Sequence, residues 1–181
     1  VTLMSRTPYP LSRVYGLLES GPVVLVATAA GDRTDVMPLS WHTMIEFEPP
    51  LVGFVLSDRN HSHSLLEASG ECSINIPEAP LAAAVVGCGN CSGAKVDKFA
   101  RFGLTPVPAD KVSAPLIEEC FAGLECRVVD RRLAADYCFY ILEVVGARVD
   151  RSVKEPRTLH HRGRGRFMVA GEPIEIESRK K

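Results

Sequence analysis

The feature that most constrains the fold of this chain is a succession of short runs rich in β-branched and aromatic residues, each closed by turn-forming residues. Pro22-Val-Val-Leu-Val-Ala27 lies between Gly21 and Gly31-Asp32, Leu51–Leu56 follows Pro49-Pro50, and Cys72–Ile76 stops at Pro77. Later, Gly123–Val129 and Tyr137–Gly146 read as an antiparallel pair, and Arg166–Ala170 before Gly171 as a last short strand. Such residues suit a pleated, half-buried surface, and glycine and proline punctuate it. Helical signals are few: Ser64–Ala68, with Ser64-Leu-Leu-Glu67 as a capping box and Gly70 as a stop, then Pro80–Val86 and Val96–Phe102. Many strands with short helices at corners predict a mainly β fold. The expected form is a closed Greek-key antiparallel barrel with short flanking helices, rather than a parallel doubly wound sheet.

A chain of 181 residues is most simply one domain, 1–181, with enough length to bury its own core. Its 46% hydrophobic and 24% charged residues are ordinary for a soluble globular protein. A formal net charge of −1 argues against generic nucleic-acid binding, which draws on a basic surplus. No apolar run approaches the roughly 20 residues that cross a bilayer, and the first ten residues lack the pattern of a signal peptide. Six cysteines, at 72, 88, 91, 120, 126 and 138, fall partly in strand-like apolar contexts. Reduced, mostly buried thiols in a cytoplasmic protein are the economical expectation.

Four segments could carry chemistry. Met37-Pro-Leu-Ser-Trp-His-Thr43 holds the only tryptophan, flanked by hydroxyls and free of carboxylates. It suits either a planar, polar-edged ligand or a strand whose Trp41 fills the core. Ser57-Asp-Arg-Asn-His-Ser62 leads into the Ser64 helix. A helix N-terminus with Arg59 beside it is a ready anion site, or else a solvated cap. Cys88-Gly-Asn-Cys91 has the spacing of a redox dithiol or half a zinc site, but Cys120, Cys126, His160 and His161 supply no second ligand pair of suitable spacing. A glycine-bearing loop that delivers Lys98 is the simpler reading. Finally, Arg157–Phe167 is arginine- and glycine-rich. It is short and ends in a strand, which fits a loop near an anionic ligand better than RNA contact.

Taken in order, these segments resemble the flavin reductase-like FMN-binding split barrels, most closely the flavoredoxin-type branch. The resemblance spans about Ser12 to Val149, with a weaker match to the end. Its carriers are Met37–Thr43 with Pro49-Pro50, Ser57–Ser62, Ser69–Pro77, Cys88-Gly89, Ser92-Gly93, Asp97-Lys98-Phe99 and Leu124-Glu125-Cys126. It implies a homodimer with FMN near the subunit interface. By position, Leu39, Ser40, Trp41 and Thr43 would follow the isoalloxazine and ribityl chain. Arg59, Asn60, His61 and Ser62 would hold the phosphate, with Ser57 and Asn75 as further candidates. Lys98 would approach the ring as a tuning cation, and Phe167 would cover its exposed face. Two departures stand out: Cys72 where an aromatic residue is common, and Cys91, which turns a lone Cys-Gly into Cys-x-x-Cys.

The resemblance implies an FMN-dependent oxidoreductase. Electrons would come from NAD(P)H or a protein donor and pass to free flavin, ferric complexes or a partner protein. The cofactor carries the difficult chemistry, so the lack of a nucleophile or catalytic dyad is consistent with it. The alternatives are an FMN electron carrier with no NAD(P)H activity of its own, and a thiol or metal sensor built on Cys88 and Cys91.

Overall fold

In the computed structural model, residues 6–14, 21–162 and 165–176 are described. Strands β1 (Arg6–Pro8), β2 (Val24–Ala30), β3 (Arg33–Leu39), β4 (His42–Glu46) and β5 (Leu51–Val55) come first, followed by helix α1 (His61–Ser69) and β6 (Glu71–Ile76). Helices α2 (Ala82–Gly89) and α3 (Lys98–Phe102) precede the short β7 (Pro106–Val107) and β8 (Leu116–Ile117). Then come β9 (Ala122–Asp130), α4 (Ala134–Tyr137), β10 (Phe139–Asp150), β11 (Leu159–His161) and β12 (Phe167–Val169).

The main sheet is antiparallel throughout, in the order β3-β2-β6-β9-β10-β5-β4, with β1 also paired to β10. β10, twelve residues long, pairs with β9 along one edge and with β5 and then β1 along the other. The mainly β antiparallel barrel is therefore as expected, and its ring is split, as the resemblance to split barrels implied. Among the described residues no ladder joins β3 to β4, which meet at the corner Ser40-Trp41. Pro38, which has no N–H to donate, sits in β3, an end strand of the sheet where proline is tolerated.

β2 explains its own sequence. Val24 and Val26 pack into the barrel with Phe54, Ile74, Leu124, Tyr140 and Leu142. Leu25 and Ala27 face the other way, into a second core with Val36, Val85, Cys88, Phe99 and Leu159. A strand buried on both faces reads as a continuous apolar run, as this one does. The second core packs β2 and β3 against α2, α3 and the β11–β12 hairpin.

α1 begins one turn before the expected capping box. Ser64 lies inside the helix and its hydroxyl donates to the His61 carbonyl at 2.8 Å, so it caps nothing. The N-cap is Asn60, extended, with no side-chain cap hydrogen bond. Gly70 ends the helix as expected: at φ +68° it adopts the left-handed conformation, and its N–H donates to Leu66 O at 2.7 Å.

Candidate functional site

The uncapped start of α1 opens onto a cavity of about 190 Å³ lined by Asp35, Met37, Arg59, Asn60, His61, Ser62, Gly89, Asn90, Cys91, Ser92 and Lys98. In the first turn of α1 the His63 amide already donates to the Asn60 carbonyl at 3.1 Å, whereas the His61 and Ser62 amides precede any intrahelical acceptor and carry the positive end of the helix dipole. Arg59 is exposed at its rim and, among the described residues, makes no ion pair. The expected anion segment is thus assembled as one cavity wall.

Behind that wall is a buried polar knot. Asp35, 2% exposed on β3, accepts a hydrogen bond from the Ser62 hydroxyl at 2.7 Å. Its other oxygen stands 3.1 Å from the Lys98 ammonium, and Lys98 donates to the Val36 carbonyl at 2.7 Å. Lys98 is only 5% exposed. The Asp97 side chain accepts from Ala100 N at 3.1 Å and starts α3, which places Lys98 at the first helical position. The loop Ser92–Asp97 therefore delivers Lys98, as the sequence suggested, but delivers it to the anion cavity.

A second cavity, about 290 Å³, is lined by Val23, Pro38, Leu39, Ser40, Val85, Val86, Gly89, Asn90, His161, Gly165 and Phe167. Gly89 and Asn90, at the end of α2, line both cavities, so the two adjoin. The β11–β12 hairpin supplies the far wall, where the His161 and Phe167 rings stand 5.1 Å apart. His161 was read in the sequence only as a zinc candidate. Its signal as a cavity residue was its place in a strand opposite Phe167.

The structure brings Leu39, Ser40, Arg59, Asn60, His61, Ser62, Lys98 and Phe167 to the paired cavities and leaves four expected residues outside. Trp41 does not fill the core: it is 72% exposed, beyond the corner that Ser40 begins. Thr43 is exposed, and its hydroxyl donates to the adjacent Met44 carbonyl. The Ser57 hydroxyl accepts from Arg59 N at 3.3 Å and so shapes the loop from behind. Asn75 is fully buried: its amide donates to Leu25 O and Ser73 Oγ, and its oxygen accepts from Ile117 N. These bonds tie β6 to β2 and β8.

The cysteine pair does not resemble a working dithiol. Burial pushes the Cys88 thiol up to about 11, with the Lys98 charge only partly opposing it, whereas a reactive cysteine needs a lowered value. The Cys91 thiol lies 3.5 Å from the Gly87 carbonyl. Among the described residues no three His, Cys, Asp or Glu side chains converge as a metal site, and no helix is long and apolar enough to cross a membrane.

The family model for the flavin reductase-like domain matches residues 18–168. The chain belongs to that family. A relative, the uncharacterized protein YddH of Escherichia coli, is 32% identical over 94% of this chain and 98% of its own. Among solved structures, the FMN-binding domain of a flavin reductase-like enzyme from Shewanella baltica superposes with a TM-score of 0.92. It is 25% identical, with 98% of this chain and all of that one covered. Flavoredoxin of Desulfovibrio vulgaris gives 0.79 at 24% identity, covering 88% and 92% of the two chains. The flavin reductase-like split barrel is therefore the fold of this chain, with the flavoredoxin-type arrangement among its neighbours.

Proposed function

We propose that this chain, as a single flavin-binding domain, holds FMN across the paired cavities and works as an FMN-dependent oxidoreductase. The observation that carries the reading is the shared Gly89–Asn90 wall. It sets an anion-fitted cavity beside an apolar one, as a molecule with a phosphate at one end and a planar ring at the other requires. Arg59 and the α1 amides would hold the phosphate, whose charge they offset. Leu39, Ser40, Pro38 and Phe167 would enclose the ring, with Phe167 covering one face. Bound FMN supplies the redox chemistry, taking electrons from NAD(P)H or a protein donor for free flavin, ferric complexes or a partner protein.

The exposed Trp41 supports a homodimer. Trp41, Ile45 and Phe47 (61% exposed) lie in and beside β4, whose only ladder among the described residues is with β5. Large apolar side chains gathered on a sheet edge are the kind of surface that a second copy covers. In that arrangement Trp41 and Thr43 belong to the interface beside the cleft. Cys72, Cys88, Cys91, Cys126 and Cys138 carry reduced thiols, which supports a reducing, cytoplasmic setting.

The test is a spectrum of the purified protein, which should show the oxidised-flavin band near about 450 nm. A colourless preparation that also fails to bind added FMN refutes the reading. Anaerobic mixing with NADH and NADPH then separates an enzyme, which bleaches, from an electron carrier, which stays oxidised until a reductase is added.

A further inference from the structure

Asp35 poses an electrostatic puzzle. A carboxylate lining a cavity that otherwise gathers Arg59, Lys98 and a helix N-terminus opposes an anion there. Its surroundings suggest what it does. One oxygen accepts from Ser62, the second residue of α1, at 2.7 Å. The other faces the Lys98 ammonium of α3 at 3.1 Å and accepts no hydrogen bond. A Cβ on Gly93 would collide with that same oxygen, so the loop leading into α3 lies directly on the carboxylate. Three separate pieces of the cavity, from α1, the Gly93 loop and α3, therefore meet on one side chain of β3.

Neither Ser62 nor Lys98 is free to serve an anion by itself. The Ser62 hydroxyl is spent on Asp35, leaving its backbone amide to face the cavity. Lys98, almost wholly buried, is already engaged by the Asp35 carboxylate and the Val36 carbonyl. We propose that Asp35 is the positioning residue of the phosphate cavity: it fixes the first turn of α1 through Ser62, keeps the Lys98 cation in place, and so favours the anion that its own charge opposes. The inference rests on the cofactor reading above and gives Asp35 a positioning role rather than a ligand's.

The experiment compares FMN with riboflavin, which has the same ring and ribityl chain but no phosphate. Wild-type protein and the Asp35→Asn and Ser62→Ala variants are titrated with each flavin, with thermal melts as a check on folding. Simple electrostatics predicts that Asp35→Asn tightens FMN binding. Positioning predicts the opposite: FMN affinity falls about tenfold or more, the scale seen when a residue supporting a binding group is removed, while riboflavin affinity holds. Ser62→Ala, which cuts one arm and leaves the ion pair, should show the same selective loss to a smaller degree. It also carries the test if Asp35→Asn does not fold. FMN binding in the variants as tight as in wild type, or tighter, overturns the proposal. So does an equal loss of FMN and riboflavin, which would make Asp35 merely structural. Wild-type protein that binds neither flavin overturns the cofactor reading and this inference with it.

Discussion

Asn75 separates a cofactor ligand from a structural residue, and the structure puts numbers on the difference. Its side chain is fully buried and makes three hydrogen bonds: to Leu25 O at 3.2 Å, to Ser73 Oγ at 2.8 Å and from Ile117 N at 2.9 Å. Asn75→Ala leaves the Ile117 N–H without its acceptor in a dry site, at about 1–3 kcal/mol, and forfeits two amide bonds at about 1 kcal/mol each. Ser73 keeps its bond to Pro115 O, so it adds little further penalty. The sum is about 4 kcal/mol, which for a chain of this length lowers Tm by about 8–16 °C. FMN affinity, measured below the transition by fluorescence quenching, should stay within about twofold, less than 0.5 kcal/mol. A Tm within about 2 °C of wild type combined with a roughly tenfold weaker FMN complex would refute this. It would return Asn75 to the ligand shell implied by the resemblance.

Other outcomes follow from single contacts. Arg59→Ala should weaken FMN by about 1.5–3 kcal/mol, the scale of a hydrogen bond to a charged group; unchanged retention on dialysis would mean that the phosphate lies elsewhere. Lys98→Met leaves Asp35 as an uncompensated buried carboxylate and should cost about 3–5 kcal/mol in a urea melt, whereas an unchanged midpoint would show the pair to be idle. Alkylation of native protein near neutral pH should spare Cys88, buried and with its thiol pushed up to about 11, and label the more accessible Cys91 and Cys138. Preferential labelling of Cys88 would revive the thiol-sensor reading. Burial holds His42 below its ordinary value of 6.5, against the opposing bond from its ring to the Pro22 carbonyl at 2.6 Å. The unfolded chain therefore takes up this proton first on acidification. The stability that His42 contributes is complete above 6.5 and is lost as pH falls from there toward the folded value. His42→Gln should flatten that part of the pH–stability curve, and an unaltered slope would assign it to another group.

Strands β2, β5, β6, β9 and β10 were legible because β-branched residues on a buried sheet leave an unmistakable run. β3 was less so: among the described residues Arg33-Thr-Asp-Val-Met-Pro-Leu39 pairs only with β2, and it tolerates proline and charge that an interior strand would reject. The split between β3 and β4 came through the family resemblance alone, because Ser40-Trp41 reads equally well as a strand continuing. The cavity at the start of α1 was legible in Arg59–Ser62, and the carboxylate behind it was not. Asp35 lies 27 residues before Ser62, and nothing local marks an acid whose partners come from two later helices. Trp41 misleads for a related reason, since a sequence shows aromatic bulk but not the absence of a chain to cover it.

The β11–β12 hairpin, which carries His161 and Phe167, is a two-stranded sheet apart from the main one. It is anchored at its base by Val23 N to Leu159 O at 2.6 Å and by the Glu78–Thr158 bridge. Two strands alone are marginal in water, whereas the middle of β10 is bonded along both edges. The cleft therefore has walls of unequal persistence. In amide exchange, β2, β3 and β10 should hold their protons until global unfolding, while the hairpin gives them up by local opening. Entry to the apolar cavity is thus a local event, and the barrel need not loosen for a ligand to come or go.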